Sequence, residues 1–103
     1  MNTPACLANQ TAKQMYRDLI RMTLVDNNVK TVLNTEPKEH FFDKIEVSEN
    51  GGLKIWRHGL DFDNFYFDYT MDFARCLSYL EDAIYSQSHG GKALHGYNIE
   101  FNA

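Results

Sequence analysis

From Ala12 onward, apolar side chains recur at steps of three and four: Met15, Leu19, Met22, Val25, Val29, Val32 and Leu33. On a wheel of 3.6 residues per turn they form one broad stripe, the mark of an amphipathic helix. Thr11-Ala-Lys-Gln fits a capping box, in which the Thr11 hydroxyl accepts from the Gln14 N–H and the Gln14 side chain returns to the cap. The spacing predicts a helix to about Asn34, stopping before Pro37 because a residue preceding proline avoids the α region. Asp26-Asn27-Asn28 is its weak point: short polar side chains compete for backbone hydrogen bonds, so a kink or a break into two helices fits there. Residues 1–10 read as a loose leader to a single domain spanning 1–103.

At Phe41 the period changes to two. Phe41, Asp43, Ile45 and Val47 alternate with Phe42, Lys44, Glu46 and Ser48, which places Ile45 and Val47 on one face of a strand. Glu49-Asn50-Gly51-Gly52 follows, and Asn-Gly between alternating runs signals a hairpin. The return strand is Leu53 to His58, with Leu53 and Ile55 inward and Lys54, Trp56 and His58 outward. After a turn-rich connection, Phe65 to Thr70 reads as a third strand with Tyr66 and Asp68 on its outer side. Three consecutive antiparallel strands in a meander are the economical arrangement.

A second helix starts near Thr70, a permissible cap, with Asp72 in the first turn, where a carboxylate suits the dipole. Phe73, Cys76, Leu77, Leu80, Ala83 and Ile84 are its apolar stripe, and Ser88-His89-Gly90-Gly91 ends it, glycine being free to take positive φ. Tyr97, Ile99 and Phe101 then alternate in a short final strand, expected at a sheet edge. The expected class is α+β: a three-stranded antiparallel meander plus the short C-terminal strand, with two helices packed on one face, in the order α-β-β-β-α-β.

Composition narrows the function. The chain has 103 residues, 44% hydrophobic, and ten Lys and Arg against fourteen Asp and Glu, a net charge of −4. That is a globular domain and not a uniformly basic nucleic-acid binder. No signal-peptide pattern and no membrane-length apolar run occurs, and Cys6 and Cys76 cannot make a disulfide framework, so the chain reads as cytoplasmic. A single Cys6–Cys76 bridge is the lesser alternative.

Catalytic chemistry finds little footing. His40, His58, His89 and His95 lack the i, i+4 spacing of a zinc site, and neither cysteine has a Cys-x-x-Cys partner. Asp61-Phe62-Asp63-Asn64 begins like a calcium loop, but Tyr66 sits where its glycine is needed. Gly90-Gly91-Lys92 lacks the phosphate-loop spacing. No enzyme, metal or cofactor is expected, and His58 with Asp61 or Asp63 is the weakest of the functional alternatives.

Charge patterning says more. Lys13, Arg17, Arg21 and Lys30 make the first predicted helix locally basic, and the first three, four residues apart, would form one ridge. A dimeric nucleic-acid-associated regulator using that face is the alternative function. The order α-β-β-β-α also resembles that of double-stranded RNA-binding domains. Those carry lysines at the start of the second helix, where this chain reads Thr70-Met71-Asp72-Phe73, so no RNA contact is carried over.

The leading expectation is an acidic, aromatic interaction surface. Trp56, His58, Asp61, Asp63, Tyr66 and Asp68 would stand on the open sheet face, aromatic centre and charged rim together. A row of carboxylates can imitate a phosphate backbone and occupy a basic partner. The expected function is a small acidic non-enzymatic interaction module that inhibits a nucleic-acid-handling or defence protein. Phage-encoded anti-defence inhibitors and bacterial immunity proteins are similar to it in size and element order. The expected partner is another protein with a basic surface, or a second copy; neither a membrane nor nucleic acid is expected to bind directly.

Overall fold

The computed structural model describes residues 4–36, 42–57, 59–61 and 72–103, with side chains from Gln14 onward except that of Asp72. Helix α1 (Pro4–Asp26) is followed by strands β1 (Val29–Asn34), β2 (Lys44–Val47), β3 (Leu53–Arg57) and β4 (Leu60–Asp61), helix α2 (Asp72–Ser88) and strand β5 (Tyr97–Phe101). The sheet is antiparallel with order β4-β3-β2-β1-β5. The class is α+β as expected and β5 lies at an edge, but the expected meander of three strands and the order α-β-β-β-α-β are corrected: among the described residues four strands precede α2, because Val29–Asn34 leaves the first helix to pair between β2 and β5. The expected third strand, Phe65 to Thr70, lies outside the described residues.

The first helix departs from expectation at both ends. It begins at Pro4, a residue preorganised for the first helical position, so most of the expected leader and its Thr11 cap belong to the helix. It ends at Asp26 and does not run on to Asn34. Asn28 takes φ of 59°, a left-handed conformation that asparagine tolerates and that closes helices. Its N–H donates to the Val25 carbonyl at 3.1 Å, and its side-chain amide donates to the Asn102 carbonyl at 3.1 Å. The chain then enters β1, which lies between β2 and β5.

Register across the sheet shows why β1 looked helical. Val32 faces Ile45 and Ile99, and Ile45 faces Ile55, so these four share the face turned towards the helices. Thr31 pairs with Glu100 while Val29 pairs with Phe101, which leaves Lys30 as an extra residue in a bulge. The bulge returns Val29 to the buried face three positions before Val32, a helix-like spacing inside a strand.

The core joins Ile20 and Leu24 of α1 to Phe73, Cys76, Leu80, Ala83 and Ile84 of α2, over Val29, Val32, Ile45, Leu53, Ile55 and Tyr97. Tyr16 stacks on Phe73 with centroids 4.0 Å apart. The expected α1 stripe is not the buried one: Met15, Leu19, Met22 and Val25 are exposed, because packing selects the neighbouring row of Ile20 and Leu24.

Two turns are fixed by glycine. In the β2–β3 hairpin Gly51 has φ of 82° and its N–H donates to the Ser48 carbonyl. After α2, Gly90 at 77° closes a double cap, with Gly91 N–H donating to Ser86 O at 2.7 Å and Gly90 N–H to Gln87 O. The Gln87 side chain then reaches the outer edge of β5, donating to Tyr97 O at 2.8 Å and accepting from Ile99 N–H at 3.0 Å. It acts there as a surrogate strand on an edge that would otherwise be open.

Tyr97 is fully buried, and its hydroxyl accepts from the Phe42 N–H at 3.1 Å. Burial holds its phenol far above the ordinary tyrosine value. Above pH about 10 the unfolded tyrosine ionises while the folded one stays protonated, so the folded state binds more protons and stability falls as pH rises. Tyr97→Phe removes the buried hydrogen bond from the Phe42 N–H and is expected to cost about 1–3 kcal/mol near neutrality in urea melts. The same variant is expected to show a shallower loss of stability above pH about 10; an unchanged midpoint and alkaline slope would contradict this role.

Candidate functional site

The face of the sheet turned away from the helices carries two cross-strand rows. Asp61, Trp56, Lys44, Leu33 and Asn98 form one, and Lys54, Glu46, Thr31 and Glu100 the other. Trp56 is on the expected side, half-buried, with the Lys44 ammonium 5.5 Å from its ring centroid. Asp61 is exposed beside it on β4. His58, Asp63, Tyr66 and Asp68 lie outside the described residues. Lysines and carboxylates alternate on the described part: Lys44 pairs with Glu46 at 2.8 Å, and Lys30 with Glu100 at 3.4 Å. This part of the face is therefore balanced in charge.

The expected basic ridge is divided. Lys30 stands on β1 and not on a helix, because α1 stops at Asp26. Arg21 pairs with Asp18 at 3.5 Å. Arg17 turns under the sheet and donates from Nη2 to the Leu53 carbonyl at 2.6 Å. The side chain of Lys13 lies outside the described residues.

A different surface emerges between the helices. A groove of about 650 Å³ is lined on α1 by Leu19, Met22 and Asp26 and on α2 by Glu81, Asp82 and Tyr85, with buried Ile84 among its lining. Met22 is 53% exposed and Tyr85 69%, values far from those of core residues. Asp26, Glu81 and Asp82 place three carboxylates around this apolar patch, and among the described residues no Lys or Arg lines it. Asp26 ends α1, and Ser88, which ends α2, also lines the groove. The negative ends of two helix dipoles therefore converge there.

His89 also lines the groove, its ring tilted 35° against that of Tyr85 with centroids 4.3 Å apart and its Nδ1 2.8 Å from the Tyr85 carbonyl, and His95 Nε2 lies 3.1 Å from the Asp82 carboxylate. Among the described residues no group of three metal-ligating side chains converges, and no helix is long and apolar enough to cross a membrane.

Sequence reasoning missed this groove, although a signal was present. Helix α1 carries two apolar rows, Met15-Leu19-Met22 and Ile20-Leu24, more than one sheet contact can cover. No family model matches this chain, and no curated protein or solved structure matches it either.

On the sheet face, the hydrogen bond from Lys44 holds the Glu46 carboxyl below its ordinary range, with the Lys54 charge adding to it. A depressed carboxylate contributes stability above its unfolded pKa and loses it as pH falls through the folded one. Lys44→Met is expected to return the Glu46 midpoint towards the ordinary value in a carboxyl ¹³C NMR titration. An unmoved midpoint would mean that the pair does not form in solution.

Proposed function

We propose that this protein is a small non-enzymatic interaction module whose docking groove, between α1 and α2, takes a cationic amphipathic helix from another protein. The observation that carries the reading is an exposed apolar patch at Leu19, Met22 and Tyr85 bordered by Asp26, Glu81 and Asp82. Monomers rarely leave a contiguous apolar patch in water without use for it. Helix-in-groove recognition sets an apolar face against such a patch and reads charge at its border.

The charge asymmetry selects the partner. Three carboxylates and two helix C-termini favour Lys and Arg on the incoming segment and repel an acidic one. Proteins that handle nucleic acid present basic, helix-borne surfaces of this kind. Occupying such a surface would block phosphate binding, which gives an inhibitory role its physical route. The support is thus for a basic partner, the class expected from the carboxylates of the sheet face, but at a different site.

The test uses a designed Leu/Lys amphipathic helical peptide against its Leu/Glu counterpart, each followed by fluorescence anisotropy. The basic peptide is expected to bind with a Kd of about 1–100 μM that weakens as salt rises. The acidic peptide is expected to show no binding. Met22→Asp and Tyr85→Ala, both at exposed positions, are expected to abolish capture while leaving the thermal midpoint nearly unchanged, and Trp56→Ala to leave capture intact. Equal binding of both peptides would overturn the reading. Loss of capture in Trp56→Ala alone would move the site to the sheet face, and sedimentation as a groove-occluded dimer would make the occupant a second copy.

A further inference from the structure

A second cavity, of about 610 Å³, lies where α1 meets the β2–β3 hairpin, with Val47 and Leu53 among its lining. Three cations from three separate elements line it: Arg17 of α1, Lys30 of β1 and Lys54 of β3. Chain neighbours did not bring them together; the turn at Asn28 and the hairpin did.

We infer that this cavity binds a small phosphate monoester with a polar aliphatic body, of the sugar-phosphate class. The half-buried Arg17 guanidinium is fixed by its 2.6 Å bond to the Leu53 carbonyl. That acceptor is neutral, so the guanidinium keeps its full charge and its remaining donors, a preorganised fork for phosphoryl oxygens. Lys54 faces Glu46 across the strands and its charge acts on that carboxylate, but it makes no direct ion pair among the described residues. Glu46 is the carboxylate in the lining and is engaged by Lys44 from the neighbouring strand position, while Lys30 is held by Glu100 at 3.4 Å. Positive charge therefore prevails in this cavity, in a chain whose net charge is −4.

The rest of the lining selects the body of the ligand. Thr31, Ser48 and Asn50 are among the lining residues; the Ser48 hydroxyl donates to Asn50 Oδ1, which also accepts from the Gly52 N–H, so the Asn50 amide N–H groups are the donors left to suit sugar hydroxyls, and Val47 and Leu53 suit the carbon skeleton. Among the described residues no aromatic side chain lines the cavity to offer the stacking that holds the bases of a single strand.

The experiment is an NMR titration of the full chain with ribose 5-phosphate, and in parallel with ribose and with a single-stranded oligonucleotide. Ribose 5-phosphate is expected to shift the Arg17, Lys30 and Lys54 signals saturably, with a Kd of about 0.1–1 mM. Lys54→Gln is expected to weaken binding by about tenfold, the order of one charge-assisted contact, with an unchanged thermal midpoint. Arg17→Lys keeps the charge but not the fork, and is expected to weaken binding as well. No saturable shift, equal binding by ribose, or binding undiminished in Lys54→Gln would each overturn the assignment. Tighter binding of the oligonucleotide through the same residues would replace it with phosphodiester recognition.

Discussion

The fold turns on where α1 stops. At Asn28 the backbone enters a left-handed conformation, and the side chain and carbonyl of that residue tie it to Asn102 at the other end of the chain. A continuous helix through this point would carry Val29 and Val32 away from the sheet. Ending the helix instead releases Val29–Asn34 as β1, the strand that pairs with both β2 and β5. The same turn brings the C-terminal end of α1 beside that of α2, which creates the acidic groove, and sets Lys30 beyond the helix, near Arg17. Asparagine suits the position because it tolerates positive φ and its side-chain amide reaches the Asn102 carbonyl.

Around that pivot the sheet is finished by side chains as much as by strands. Gln87 satisfies main-chain groups on the outer edge of β5, and the Tyr97 hydroxyl reaches through the core to the Phe42 N–H. The Gln87 bonds lace α2 to β5, and the Tyr97 bond ties β5 to the segment that leads into β2, so the C-terminal third is held by polar contacts as well as by burial. The exposed Met15-Leu19-Met22 row is what remains after Ile20 and Leu24 have met the core.

Much of this architecture was legible in the residues. The α2 stripe, its Gly90 cap, the Asn50-Gly51 hairpin and the alternation of Tyr97, Ile99 and Phe101 each belong to one period and one turn chemistry, and each appears in place. The boundary of α1 was not legible, for a specific reason: the bulge at Lys30 spaces Val29 and Val32 three apart, so strand and helix periods coincide there. The choice of buried row on α1 was also hidden, since both rows are apolar and only tertiary packing separates them. On the sheet face, alternation placed Trp56 outward. The acidic groove needed two helix ends to meet, and the cationic cavity three elements, and neither meeting leaves a local motif.

The two surfaces divide the charge of the molecule. Carboxylates and helix C-termini gather between α1 and α2, while Arg17, Lys30 and Lys54 gather at the hairpin. Both depend on the reversal at Asn28, and NMR cross-strand contacts test it most directly. Nuclear Overhauser effects are expected to link Val32 to Ile45 on one side and to Ile99 on the other, with amides of β1 protected from exchange. Sequential helical contacts running unbroken from Asp26 through Asn34, without those cross-strand signals, would contradict it.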